Sequence, residues 1–249
     1  MTAPKDKPEL MKNGKRHDGR SPEDLRNIKI EAFVLNNADG SAYIEWGNNK
    51  ILAAIYGPKE ALPKHTQDPE RAVIKCRYSM APFSGNEEHG SSRPSRRSIE
   101  ISKITKEIFE HVILVEEFPG SEIDIFIEVL QSDGGTRAAG ITAAAVALAT
   151  AGIPMIDTPY AVSVGKVGKD LILDMDYIED KYSDADVPMA ICPRTGELSL
   201  LQMDGILSPD EFKKAFSMVK KAGDQITKLQ RNALQSPYQK TMDKYSKEV

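Results

Sequence analysis

The stretch QSDGGTRAAGITAAAVALATAGIP, residues 131–154, sets an Asp-Gly-Gly-Thr-Arg cluster directly before an almost wholly apolar, Ala-rich run. Apolar side chains fall at every angle around such a run, so the helix it forms must be buried on all faces. Gly152 and Pro154 close it. The first N–H groups of a helix have no intrahelical partner and together carry roughly half a positive charge, so this end attracts phosphate. Gly134 and Gly135 allow the backbone to approach a ligand, Thr136 offers a hydroxyl donor, and Arg137 supplies a two-pronged grip on oxyanions. The same residues also read as a tight strand-to-helix turn, with Thr136 as a cap and Arg137 facing solvent.

Outward from this stretch the chain is a succession of short elements. Upstream, EIDIFIEVL (122–130) alternates and places Ile123, Ile125, Ile127 and Val129 on one face of a strand. Before it a helical period predicts one face formed by Ile99, Ile104, Ile108, Val112 and Val115, with Ser95 as N-cap and Pro119 as the stop. Earlier still, IKIEAFVL (28–35), SAYIEW (41–46), KILAAIY (50–56) and AVIKCRYSM (72–80) read as a meander of strands separated by turn formers. Residues 1–15 have little to bury and predict a mobile arm. Downstream, YAVSVGK and LILDMD predict a hairpin, followed by strands in VPMAICP and LSLLQMD. A last helix opens with the Ser208/Glu211 capping box and Pro209, and its apolar stripe runs through Phe212, Phe216, Val219, Ile226 and Leu229. The order predicts an α+β chain with two β-rich halves, residues 16–155 and 156–249, meeting in one core.

At 249 residues and 40% apolar content the chain can fill such a core. A net charge of −4 gives no global basic field, so an anionic partner would have to be held by local Arg and Lys. The charged N-terminus has no apolar signal region and no run is long enough to span a membrane, which makes the cytoplasm the expected location. Cys76 and Cys192 stand far apart in apolar strand-like contexts and read as core residues rather than a disulfide.

Two further clusters bear on function. SSRPSRRSIE puts Arg93, Arg96 and Arg97 at a helix start, where cations oppose the dipole. A bound anion would explain them, and so would a solvated basic face. LILDMDYIEDKYSDADVP gathers Asp174, Asp176, Glu179, Asp180, Asp184 and Asp186 against Lys181 alone. Such carboxylates repel unless hydrated or bridged by a cation, which leaves an acidic surface loop and a cation site both open.

Taken in order, RHDGRSPEDLRNIKIE (16–31), ADGSAYIEWGNNKILAAIYGP (38–58), SRPSRRSIEISKI (92–104), the 122–154 segment and EDKYSDADVP (179–188) resemble the RNase PH family of phosphate-dependent 3′→5′ exoribonucleases. The resemblance implies an RNase PH fold with mixed sheets and packed helices. It implies phosphorolysis of single-stranded RNA: inorganic phosphate attacks the terminal phosphodiester and releases a nucleoside diphosphate. Gly135, Thr136, Arg137 and Arg97 match the family's phosphate-binding positions, Thr136 standing where serine is common. Asp180 matches the general acid, and Asp186 a carboxylate associated with a divalent metal, Mg²⁺; both belong to the implied metal site, and with Arg97 they make up the catalytic set. Arg93 and Arg96 would meet the last phosphates of the RNA, and Lys64 and His65 would line the entrance to a ring channel. Within the family, the arm before Gly14 and the single-copy length look like the catalytic ring subunit of an archaeal exosome. Such a subunit alternates with a related inactive RNase PH-type subunit in a hexameric trimer of heterodimers, under caps with S1 or KH domains. A homohexameric RNase PH trimming tRNA 3′ ends, a non-catalytic RNA-threading subunit and a hydrolytic metal-dependent nuclease are the competing readings.

Overall fold

A computed structural model of the chain describes residues 8–86, 88 and 94–246, with side chains through Gln239. Two sheets enclose the Ala-rich helix. The first is built from β3 (Ile28–Ala32), β4 (Gly40–Trp46), β5 (Asn49–Glu60), β6 (Val73–Met80) and β7 (Ser121–Gln131), in the order β3-β4-β5-β7-β6. Only β6 and β7 run parallel, and the long connection a parallel pair needs is made by α1 (Arg96–Val112). After α2 (Thr136–Thr150) the second sheet forms from β8 (Tyr160–Val167), β9 (Asp170–Leu173), β10 (Ala185–Ile191) and β11 (Leu198–Leu201), ordered β11-β10-β8-β9, with β12 (Asp204–Gly205) also on β10. All its pairings are antiparallel, so the mixed character expected of the sheets belongs to the first one alone. A short α3 (Tyr177–Tyr182) sits between β9 and β10, and α4 (Pro209–Ser246) packs across the second sheet and α2.

Helix α2 explains why the two sheets form one body. It packs against β4, β5 and β7 on one side and β8 and β10 on the other, and twelve of its fifteen residues are buried. Alanine suits this place because backbone can approach from both sides without large side chains between. Isoleucines of β4, β5 and β7, the α2 alanines, Val162 and Val164 of β8 and Val219 and Ile226 of α4 belong to a single core. At about 25 cal/mol per Å² of apolar area removed from water, this shared burial is the main term holding the halves together.

Three expectations change. Of the arm expected over residues 1–15, residues 1–7 fall outside the described residues, while in the rest β1 (Met11–Lys12) pairs with β2 (Lys15–Arg16) and Leu10 is buried with Val167, Ile172 and Met175. Leu10, with Met11 packed beside it, is what composition alone did not mark as buried. Helix α1 buries Ile101, Thr105, Ile108, Phe109 and Val112, while Ile99 is 60% exposed. At 100° per residue Ile99 lies half a turn from Ile108, so the two cannot share a face. The helix also ends at Val112, with Val115 in a separate 3₁₀ turn, well before Pro119. The Ser95 cap and the Ser208–Glu211 capping box form as expected. Cys76 and Cys192 are free thiols; Cys192 is buried, and burial pushes the Cys76 thiol up to about 12.

Candidate active site

In the acidic segment 174–186, Asp174, Asp176 and Glu179 are neutralised because the N-terminal RHDGR and DLR motifs are folded onto them. Arg16 has no exposed side-chain surface; it donates through Nε to Glu179 Oε1 at 2.6 Å and through Nη2 to Glu179 Oε2, and it reaches the carbonyls of Leu173 (2.6 Å) and Asp174 (2.9 Å). Arg26 donates to Asp174 from its backbone N–H (2.7 Å) and from Nη2 (2.7 Å), and Trp46 Nε1 adds a bond of 2.8 Å. His17 Nε2 lies 2.6 Å from Asp176 Oδ2. Asp176 caps α3 through Ile178 and Glu179 N–H, so this part of the expected acidic loop is a helix. His17, Asp176 and Glu179 lie close enough to share a cation. A metal there would have to displace Arg16 from Glu179, so the three do not fit a metal centre.

This ion-pair floor dictates the shape of the Gly-Gly turn. Gly134 and Gly135 have φ of +70° and +69°, a region unfavourable to residues with a Cβ. A Cβ on Gly134 would lie 2.5 Å from the Asp176 carbonyl carbon. Thus Gly134 permits a close approach to the chain's own α3 cap, while a Cβ on Gly135 would lie 3.1 Å from Arg26 Nη2. Asn49 Nδ2 and Arg26 Nη2 both bond the Gly134 carbonyl, locking the turn to β5 and the floor.

With no side chain at Gly135 to cap it, α2 begins without a side-chain hydrogen bond to its first turn, whereas Ser95, Asp176 and Ser208 serve the other three helices. Around that end the expected residues assemble. Thr136 is buried and accepts a 2.8 Å bond from the Tyr78 hydroxyl, which leaves its own proton free to donate. Arg137 is partly exposed, and its Nη1 donates to Gln202 Oε1. Arg97, exposed in the first turn of α1, acts with Arg137 on both Tyr78 and Asp180. Burial raises the Asp180 carboxyl, and the charges of Arg97 and Arg137 oppose that rise. Burial and then the neighbouring Asp180 push Asp186 up to about 6, and its Oδ1 is enclosed with no partner. Four elements thus bring two cations and two carboxylates of raised pKa to one uncapped helix end.

The remaining expected residues lie elsewhere. Arg96 is exposed beside Arg97 but points about 100° away around α1. Arg93 falls outside the described residues. Lys64 and His65 are exposed on a 3₁₀ turn after β5, beside the start of β7, while Thr136 follows the end of β7. The eleven residues of β7 separate the two places by roughly 33 Å at about 3.3 Å per residue. Sequence reasoning missed Tyr78, Gln202 and the roles of Arg16 and Arg26. For the arginines a signal existed, since two basic motifs and one acidic run of opposite charge stand in the same chain. Tyr78 lies 58 residues from Thr136 in an ordinary strand pattern and offered none.

Residues 24–154 match the first domain of the 3′ exoribonuclease family, and residues 157–222 match its second. The chain is 56% identical to the exosome complex component Rrp41 of Thermoplasma volcanium over 90% of each chain, and 52% identical to that of Thermococcus onnurineus over 96% of each. Its fold superimposes on rice (Oryza sativa) Rrp46 with a TM-score of 0.80 at 25% identity, covering 88% of this chain and all of that one. A subunit of the Archaeoglobus fulgidus exosome with RNA bound to the active site gives 0.77 at 20% identity, over 87% of this chain and 92% of the other. By two family domains spanning most of its length and by relatives sharing more than half its residues, the chain is a member of the RNase PH family of 3′ exoribonucleases.

Proposed function

We propose that the protein is the catalytic subunit of an archaeal-type exosome ring and shortens single-stranded RNA from its 3′ end with inorganic phosphate as nucleophile. The observation that carries the reading is the convergence of Arg97, Thr136 and Arg137 on the uncapped start of α2, facing Asp180 and Asp186. Relatives named as Rrp41 exosome components supply the assembly.

The chemistry follows from the charges. Phosphate is an anion attacking an anion, so its approach needs donors that neutralise both. Thr136 Oγ1, the free N–H groups of α2 and the two guanidinium groups supply them, and they hold the nucleophile before the last phosphodiester. A P–O bond forms to the attacking phosphate while the P–O3′ bond breaks, and the nucleotide leaves as a diphosphate. The 3′-oxygen of the shortened RNA takes a proton; Asp180, whose carboxyl burial pushes above the ordinary range, is the donor. The acceptor is phosphate and not water, so the reaction is a nucleotidyl transfer rather than a hydrolysis. Asp186, with an enclosed and unpartnered oxygen and a like charge beside it, fits a divalent cation shared with Asp180. Mg²⁺ there would supply charge neutralisation for the leaving oxygen.

Arg96 and Arg93 would grip terminal phosphates without regard to sequence. Lys64 and His65, some 33 Å along β7, suit a separate hold on RNA on its way to the site. A related RNase PH-type subunit in a hexameric trimer of heterodimers, caps with S1 or KH domains and a cytoplasmic location complete the reading. No helix among the described residues is long and apolar enough to cross a membrane.

The test is a product assay: 5′-labelled single-stranded RNA with Mg²⁺, with and without inorganic phosphate, using the chain alone and with its ring partner. Phosphate-dependent shortening with nucleoside diphosphates released is expected. Monophosphates released regardless of phosphate would mean hydrolysis, and binding without shortening in both preparations would mean a threading subunit.

A further inference from the structure

We propose that Gln202 is a positioning residue for phosphate: it holds the Arg137 guanidinium ready for an oxyanion and keeps Glu100 from closing on it. The inference rests on the phosphate-site reading above and adds a residue to it. Gln202 lies in the link between β11 and β12, and its N–H bonds the Pro188 carbonyl at 3.2 Å, fixing it to β10, the strand of Asp186. Its side-chain amide faces two ways. Oε1 accepts from Arg137 Nη1, and Nε2 donates to Glu100 Oε1 at 3.0 Å. Glu100 stands one turn along α1 from Arg97, and its Oε1 is 4.0 Å from Arg137 Nη2.

The neutrality of the amide is what matters. An arginine meant to bind a mobile anion is spoiled by a permanent carboxylate partner, which cancels its charge and occupies its donors. Glu100 is such a carboxylate, and 4.0 Å is just beyond hydrogen-bond length. Gln202 engages the facing oxygen of Glu100 with one end of its amide and steadies Arg137 with the other. Arg137 is thereby fixed in place by a neutral acceptor, and its Nη2 donors are left for phosphate. The arrangement also ties α1, α2 and β10 together, so Arg97, Arg137 and Asp186 keep their mutual geometry as substrate enters.

Steady-state phosphorolysis is measured in the preparation that turns over RNA, with phosphate and RNA varied separately. Gln202→Ala should raise the KM for phosphate at least about tenfold, as expected for loss of a hydrogen bond to a charged group, with kcat and the KM for RNA changed less than threefold. Gln202→Glu, which places a carboxylate against Arg137, should raise the phosphate KM further. Removing the competing acid in the double variant Gln202→Ala/Glu100→Ala should recover part of the loss, a result that a merely structural role of Gln202 would not produce. An unchanged phosphate KM in both single variants, equal rises in the KM values for phosphate and RNA, or no recovery in the double variant would overturn the proposal. If the unsubstituted protein shortens RNA without phosphate, the reading of the site fails instead, and the two failures are told apart by that control.

Discussion

Asp174→Asn is the sharpest probe of the ion-pair floor beneath the site. Asp174 is 3% exposed, and its carboxylate takes bonds from Arg26 N–H, Nε and Nη2 and from Trp46 Nε1. Asparagine keeps the size but removes the charge, so Arg26 stays buried with only the longer 3.8 Å ion pair to Asp133, and an amide N–H₂ faces its donors. Breaking a buried pair from one side costs about 3–5 kcal/mol. For a chain of this size each kcal/mol lowers Tm by about 2–4 °C, so thermal unfolding followed by circular dichroism at pH 7 should show a fall of about 6–20 °C. Burial alone would raise the Asp174 carboxyl, but the charge and hydrogen bonds of Arg26, with Trp46, hold it below the usual carboxylate range. A group with a depressed native value adds stability that is complete above its unfolded value, about 3.9, and is lost as the pH falls through the native one. The gap between the two proteins should therefore be flat from pH 7 to about 4.5 and close only in more acid solution. A fall in Tm below about 3 °C, or a gap already closing between pH 7 and 5, would refute the account.

Three other outcomes follow from the same geometry. Gly134→Ala puts a Cβ at φ +70° and 2.5 Å from the Asp176 carbonyl carbon; the left-handed backbone alone costs about 1–2 kcal/mol, so Tm should fall by at least about 2 °C, and an unchanged melting curve would show that the turn is slack. Tyr78→Phe removes the donor to Thr136 Oγ1; a neutral hydrogen bond is worth about 0.5–1.5 kcal/mol, so the phosphate KM should rise about two- to tenfold with Tm nearly constant, and kinetics identical to the parent would separate Tyr78 from the site. Asp180→Ala should lower turnover at least about 100-fold while RNA affinity in a filter-binding assay stays close to that of the parent, and a loss confined to binding would contradict a proton-donating role.

Much of this protein is written locally. The strand alternation of 122–130, the all-round apolar run of 136–150 and the Ser95 and Ser208 caps are local patterns, and each forms where it stands in the chain. Arg97, Thr136 and Arg137 were legible as candidates because each belongs to a short motif with its own chemistry, whereas Asp180 and Asp186 stood out from the other carboxylates of their run only through the resemblance to the RNase PH family. What no local pattern could decide was the partner of each charge. The acidic run looked self-repelling because its counterions, Arg16 and Arg26, stand about 150 residues earlier in sequence. That Gly134 also makes room for the Asp176 backbone could not be read locally, because that backbone arrives from beyond β9. Leu10 looked unburied because its pocket is made by β8 and β9. Period and propensity act over a few residues, whereas charge pairing, close backbone approach and burial depend on which distant segments packing brings together. That long-range placement turned three separate motifs into one site, and only the tertiary structure holds it.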